Sequence, residues 1–218
     1  MSLKNQPLIG GVSFINGLNM YRILFLILLP LFFLSGCLAT PGDAANRAGH
    51  PEQAAELYRK GAEQGDATAA LKLGLLLDQG KVKQSKFGSA GKWFDKGCKL
   101  GDRPSCHNVG VAYEYGKNGF SKNYKQARNY YTKAAEAGYM QSQYNLASMY
   151  SNKYFINDVK GLKWLLIAQS SARKCSGNSL CKWILNDPPG HKNKLIKRMS
   201  GQQIKQAEAG ASKWISKN

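Results

Sequence analysis

The chain says nearly the same thing three times. AAELYRKGAEQGDATAALKLGLLLDQG (Ala54 to Gly80), SAGKWFDKGCKLGDRPSCHNVGVAYEYG (Ser89 to Gly116) and QARNYYTKAAEAGYMQSQYNLASMYS (Gln126 to Ser151) align without an internal gap. Leu57, Trp93 and Tyr130 fall into register, as do Tyr58, Phe94 and Tyr131, then Gly65, Gly101 and Gly138, and then Gly74, Gly110 and Ala147. A period of about 36 residues lies in the range of helical solenoid repeats, in which each unit buries its apolar face only against its neighbours. With 218 residues and 43% hydrophobic content, the chain is therefore expected to form one elongated stack.

The middle copy shows why these residue types recur. Ala90, Trp93, Phe94, Gly97 and Cys98 mark one face of a first helix, with Lys92, Asp95, Lys96 and Lys99 on the other. Gly101 stands where that helix needs a left-handed stop, and Asp102 with Pro104 supplies the cap and first-turn proline of a second. In the second helix Val109, Ala112 and Tyr113 point inward, Gly110 admits a neighbouring backbone and Gly116 ends the unit.

These residues resemble the Sel1-like repeat family, a relative of the tetratricopeptide repeat. The likeness is carried by Ala54, Tyr58, Ala62, Gly65, Asp66, Ala70, Leu73, Gly74 and Gly80, and again by Ala127, Tyr130, Tyr131, Ala134, Ala135, Gly138, Tyr144, Leu146 and Tyr150. It implies an all-α fold, a right-handed α/α superhelix with repeats over about 52–88, 89–124 and 125–157. A degenerate copy over 158–172 keeps Val159, Gly161, Trp164, Leu165 and Ala168. Gly61, Gly97 and Ala147 depart from the family pattern and predict looser packing. MSGQQIKQA matches the family's closing helix, here capped by Ser200 with Ile204, Ala207, Ala211, Trp214 and Ile215 on its apolar stripe. The first helices of such repeats line a concave surface that binds another protein. The positions flanking the buried aromatics, Glu56, Arg59, Lys92, Asp95, Asn129, Thr132 and Lys163, are the expected contacts.

Ahead of the repeats, Arg22 leads into an apolar run of 12 residues, Ile23 to Leu34, and then Leu34, Ser35, Gly36 and Cys37. The run is too short to span a bilayer as a helix and suits a signal peptide over 1–36, with Met20 as an alternative start. The tetrapeptide resembles the bacterial lipoprotein signal, which implies cleavage before Cys37 and a lipid on that cysteine. Leu38 in the next position implies sorting to the outer membrane, facing the periplasm. Residues 37–51, small and polar, are expected to be a flexible tether, with His50 a solvated part of it.

Four further cysteines form two close pairs, Cys98 with Cys106 and Cys175 with Cys181. An oxidising compartment favours disulfides, and a hairpin turning at Gly101 brings Cys98 toward Cys106, although the sequence leaves the connectivity open. Cysteine-rich Sel1-like proteins carry the same seven-residue gap. Neither spacing is C-x-x-C, so a zinc site with His107 is disfavoured and no cofactor is expected.

The net charge is +18, or +16 without Lys4 and Arg22. From Arg173 to Asn218 ten Lys or Arg stand against Asp187 and Glu208. Such a charge commonly signals nucleic acid, but the leader takes the chain out of the cytoplasm and points to anionic envelope surfaces or an acidic protein. No G-x-S-x-G, H-E-x-x-H or glycine-rich phosphate loop is present. Ser89/Lys92, Ser171/Lys174 and Ser179/Lys182 match the Ser-x-x-Lys spacing of penicillin-interacting enzymes, without the accompanying Lys-Thr-Gly or Ser-Asp-Asn. His107 and His191 have no acidic or cysteine neighbours at ligand spacing. The expected function is non-catalytic protein binding. Resemblance to small Sel1-like lipoproteins implies an immunity protein blocking a secreted toxin such as a type VI lipase effector. The alternatives are an adaptor in envelope signalling or cell-wall assembly and a weak β-lactamase.

Overall fold

Side-chain caps and glycine stops cut the chain into helices. Asp66 accepts from Thr68 N (2.8 Å) and Ala69 N (3.0 Å), Asp102 from Ser105 N (2.7 Å), and Asn123 from Gln126 N (3.0 Å). Each such acceptor satisfies a backbone N–H that a helix start would leave bare. Within the three hairpins the turn glycines Gly65, Gly101 and Gly138 have φ of 94°, 92° and 87°, a region open to glycine at little cost.

The computed structural model describes residues 40–151, 154–175 and 177–218; the signal segment 1–36, Met20 and Cys37 lie outside the described residues. Pro41–Asn218 form one unit of helices, and no strand occurs among the described residues. The helices are α1 (Pro41–Arg47), α2 (Pro51–Glu63), α3 (Ala67–Asp78), α4 (Gln84–Phe87), α5 (Ala90–Lys99), α6 (Arg103–Tyr115), α7 (Tyr124–Glu136), α8 (Met140–Ser151), α9 (Asp158–Arg173), α10 (Ser179–Asn186), α11 (His191–Ile196) and α12 (Gly201–Ile215). None of them is long and apolar enough to cross a membrane. The hairpins α2/α3, α5/α6 and α7/α8 stack in chain order, and α9 packs on α8, α10, α11 and α12. This is the all-α solenoid that the repeats predict.

One contact recurs along the stack. A Cβ built on Gly74 would lie 2.5 Å from the Phe94 ring, and one on Gly110 would lie 2.6 Å from the Tyr131 ring. The second aromatic of each hairpin thus rests on the bare backbone of the helix before it. Tyr58, Phe94 and Tyr131 are 4%, 1% and 0% exposed. Ala147 and Leu165 hold the corresponding positions at the fourth step, inside one core cluster: the seat has gained a methyl and the ring has become a branched aliphatic.

Two expectations are corrected. The tether assigned to 37–51 is folded from Pro41, since α1 packs on α2 as a leading cap. Gly42 seats the Tyr58 ring, and Asp43 accepts the Tyr58 hydroxyl (2.7 Å) and the Lys72 ammonium (2.6 Å). Seven residues are too few for a stable helix in isolation, and α1 is held by these tertiary contacts. Looser packing at Gly97 and Gly61 is not what the structure shows. A Cβ on Gly97 would overlap the Ser105 hydroxyl and lie 2.9 Å from Ser105 Cβ, and one on Gly61 would lie 3.1 Å from Ala69 Cβ, so these glycines bring the two helices of a hairpin closer. The loop 81–89 is anchored, too: Val82 and Phe87 are 4% exposed, and the Phe87 carbonyl accepts Trp93 Nε1 (2.7 Å).

The two cysteine pairs are disulfides. Cys98–Cys106 staples α5 to α6 with Cα atoms 4.5 Å apart, and Cys175–Cys181 ties the end of α9 to α10 at 6.4 Å. The closing helix starts in a capping box of Ser200 and Gln203, and its Ala207 and Ala211 are buried.

Gly110→Ala is expected to lower stability by about 1–3 kcal/mol, because overpacking against the Tyr131 ring outweighs alanine's better helix propensity. Urea unfolding of the purified variant measures this, and an unchanged or raised midpoint would contradict the ring seat.

Candidate partner-binding surface

The seven expected contact residues divide by what their neighbours leave them. Asp95 on α5 and Asn129 on α7 line one cleft of about 370 Å³ between successive first helices, together with Cys98, Lys99, Gln126, Tyr130 and Lys133. There Asp95 accepts the Tyr130 hydroxyl (2.9 Å) and pairs with Lys99 (2.6 Å), while Lys133 Nζ donates to the Cys98 carbonyl (3.1 Å). Burial, followed by the bond to Asp95, pushes the Tyr130 hydroxyl up to about 12, so it stays a neutral donor. The cleft offers exposed amides at Gln126 and Asn129 together with two lysines, an arrangement able to hydrogen-bond polar and acidic groups.

Glu56 and Arg59, one repeat earlier, hold each other at 3.1 Å. Glu56 also pairs with Lys86 (3.0 Å) and Arg59 with Glu63 (2.9 Å). Bonds from Lys86 and then Arg59 hold the Glu56 carboxyl below its ordinary value. The Thr132 hydroxyl turns back to the Arg128 carbonyl (2.8 Å). Lys163, one repeat later, lies beside α12, its side chain 3.4 Å from where a Cβ on Gly210 would stand. Lys92 is exposed and places its ammonium 5.5 Å from the Trp93 ring centre. Asp95 and Asn129 are therefore brought together, and the other five are spread along the stack.

Sequence reasoning missed Lys99 and Lys133, which stand one helical turn after Asp95 and Asn129; the four-residue spacing was the available signal. It also missed exposed side chains at the facing ends of α6 and α7 and after α8. Tyr124 and Tyr154 stack with centroids 4.0 Å apart, and Tyr115 and Ile156 are 69% and 72% exposed.

Of the Ser-x-x-Lys pairs, Ser89 caps α5 by accepting from Lys92 N (3.4 Å), while the Lys92 ammonium lies over indole. Ser171 donates to Gln143 Oε1 (3.0 Å) and Ser179 opens α10. No group of three His, Cys, Asp or Glu at metal-binding distance occurs among the described residues. His107 is hydrogen-bonded to Ser142 Oγ (2.9 Å), with the Tyr131 and Tyr139 rings 5.5 and 5.2 Å away. His191 is hydrogen-bonded to Ser151 Oγ (2.8 Å). Both imidazoles are held in place by buried partners.

Stacked α/α hairpins with a shared core and an open first-helix face define a helical-repeat binding protein. The family model described as Sel1 repeat matches residues 51–66, 67–102, 103–139 and 141–168, and the chain belongs to that family. No curated protein matches the sequence. Among solved structures, a protective antigen of uropathogenic Escherichia coli with an SLR fold is 28% identical, with a TM-score of 0.61 over 76% of this chain and 33% of that one. A Sel1 repeat protein from Oxalobacter formigenes is 26% identical, with a TM-score of 0.54 over 75% of this chain and 64% of that one. An immunity protein from Pseudomonas aeruginosa overlays more loosely, at 18% identity and a TM-score of 0.39 over 75% of this chain and 60% of that one. This chain thus spans a third of the first structure's length and under two thirds of the second's. Sel1 repeats mediate protein–protein interaction.

Burial pushes the His107 imidazole down to about 4 from 6.5. Between those values the unfolded chain takes up a proton that the folded one refuses, so stability present above pH 6.5 is lost as pH falls toward 4, by about 3 kcal/mol at most. His107→Gln should flatten that slope in urea titrations run across the window, and parallel slopes for the two proteins would contradict it.

Proposed function

We propose that the protein is a lipoprotein of the bacterial envelope, lipidated at Cys37 after removal of 1–36 and facing the periplasm from the outer membrane. There it acts as an immunity protein that binds and blocks a secreted toxin. The observation that carries this reading is the α5/α7 cleft, where Lys99, Gln126, Asn129 and Lys133 present a basic, hydrogen-bonding recess at the centre of the stack. A mature charge of +16 would speed capture of an acidic toxin face and favour it over neutral partners. With α1 beginning at Pro41, three residues separate the lipidated cysteine from the fold. Three residues reach at most about 11 Å, which would keep the solenoid beside the bilayer on which a phospholipase toxin acts.

A strain lacking this gene, grown in contact with its parent, is the test. It should lose viability, the wild-type gene should restore it, and Lys99→Glu with Lys133→Glu or Cys37→Ala should restore it poorly. A deletion strain that survives beside its parent as well as the parent itself would refute the immunity role.

A further inference from the structure

Past the last matched repeat residue, 168, the chain changes character. Arg173, Lys174, Lys182, Lys192, Lys194 and Lys197 are all exposed, and none makes an ion pair among the described residues. The one acid within that span, Asp187, is 8% exposed and has both oxygens engaged, Oδ1 by the Tyr144 hydroxyl (2.9 Å) and Oδ2 by Lys192 N (2.8 Å). Arg198, just beyond, is neutralised by Asp158.

Helix α10 adds apolar surface to this charge. It buries Cys181 and Ile184 against the core and is fixed by the Cys175–Cys181 bond, yet it leaves Trp183 43% and Leu185 37% exposed. Leu185 forms part of the wall of a cavity of about 300 Å³ that Arg173, Asn186, Asp187, Lys192 and Asn193 also line. With Gln169 on the same wall, two cations and three amides beside one carboxylate already bonded on both oxygens leave this recess a net acceptor of negative charge.

We infer that the α10–α11 end of the molecule is a docking site for an anionic phospholipid bilayer, independent of any lipid on Cys37. The cavity takes a lipid phosphate between Arg173 and Lys192, while Trp183 and Leu185 enter the boundary between head groups and acyl chains. Tryptophan prefers that boundary because its ring is apolar and its N–H polar. Each cation near an anionic surface adds about fivefold to binding. Two exposed apolar side chains are too few for the core of a protein interface, whereas six dispersed cations suit a fluid and uniformly negative surface.

Residues 40–218, which hold α1 to α12, are sedimented with phosphatidylcholine vesicles made with and without phosphatidylglycerol. Binding is expected only to the anionic vesicles, accompanied by a blue shift of tryptophan emission. Arg173→Glu with Lys192→Glu should weaken it at least about tenfold. Leu185→Ser should weaken it and Trp183→Phe should remove most of the shift, with circular dichroism confirming intact helices. Lys99→Glu with Lys133→Glu makes the same change in net charge elsewhere and should have far less effect. Absence of binding to the anionic vesicles would overturn the inference, as would site variants that bind like wild type or a control pair that loses as much as the site pair. An acidic protein that competes with the vesicles only through the α5/α7 cleft would leave the site standing; one displaced by Arg173→Glu with Lys192→Glu in the absence of vesicle binding would replace the bilayer as its occupant.

Discussion

An aromatic ring resting on a helix that has no side chain beneath it holds this molecule together. A hairpin of two helices cannot bury its apolar face alone, so each copy must be completed by the next. Tyr58, Phe94 and Tyr131 do this by lying against Gly42, Gly74 and Gly110, which lets successive helices approach at a distance a Cβ would forbid. Where the ring gives way to Leu165, the seat becomes Ala147, and volume is conserved across the pair. Helix α1 packs at the front of the stack and α12 packs against α9 at the back.

That economy decides which surface remains for a partner. Many polar positions on the first helices are occupied by neighbours: Glu56 with Lys86, Thr132 with its own helix, Lys163 beside α12. Between α5 and α7, the Asp95–Tyr130 bond and the Lys133–Cys98 bond fix the walls of a recess whose amides still face solvent. A surface held this rigidly loses little conformational entropy on binding. The C-terminal segment differs in kind, since six of its exposed cations make no ion pair among the described residues and its exposed apolar side chains are few, as fits contact with a diffuse negative surface.

Much of this was legible in the residues. The register of the three copies, the turn glycines and the caps at Asp102 and Ser200 follow from local chemistry that one sequence displays, whereas the spacing of the cysteines suggests two close pairs and leaves their connectivity open. What escaped has a common cause in tertiary context. Helix α1 exists because Tyr58 and Lys72 reach it, and α4 sits in a loop whose Phe87 carbonyl is needed by Trp93. Gly97 departs from the family pattern and reads as a loose spot, but the buried Ser105 opposite requires it. The cleft lysines escaped because the face was judged by flanking the aromatics, and a further turn along each helix was needed to find Lys99 and Lys133.

The dependence of the stack on ring and seat can be measured directly by a double-mutant cycle on Gly74→Ala and Phe94→Leu, read by urea unfolding. Gly74→Ala alone should destabilise. Introduced into Phe94→Leu, which reproduces the chemistry of the Ala147/Leu165 step, it should be neutral or stabilising, giving a coupling of about 1 kcal/mol or more. Additivity within about 0.5 kcal/mol would show that the ring and the bare backbone do not depend on each other, and would contradict this account of how the repeats are joined.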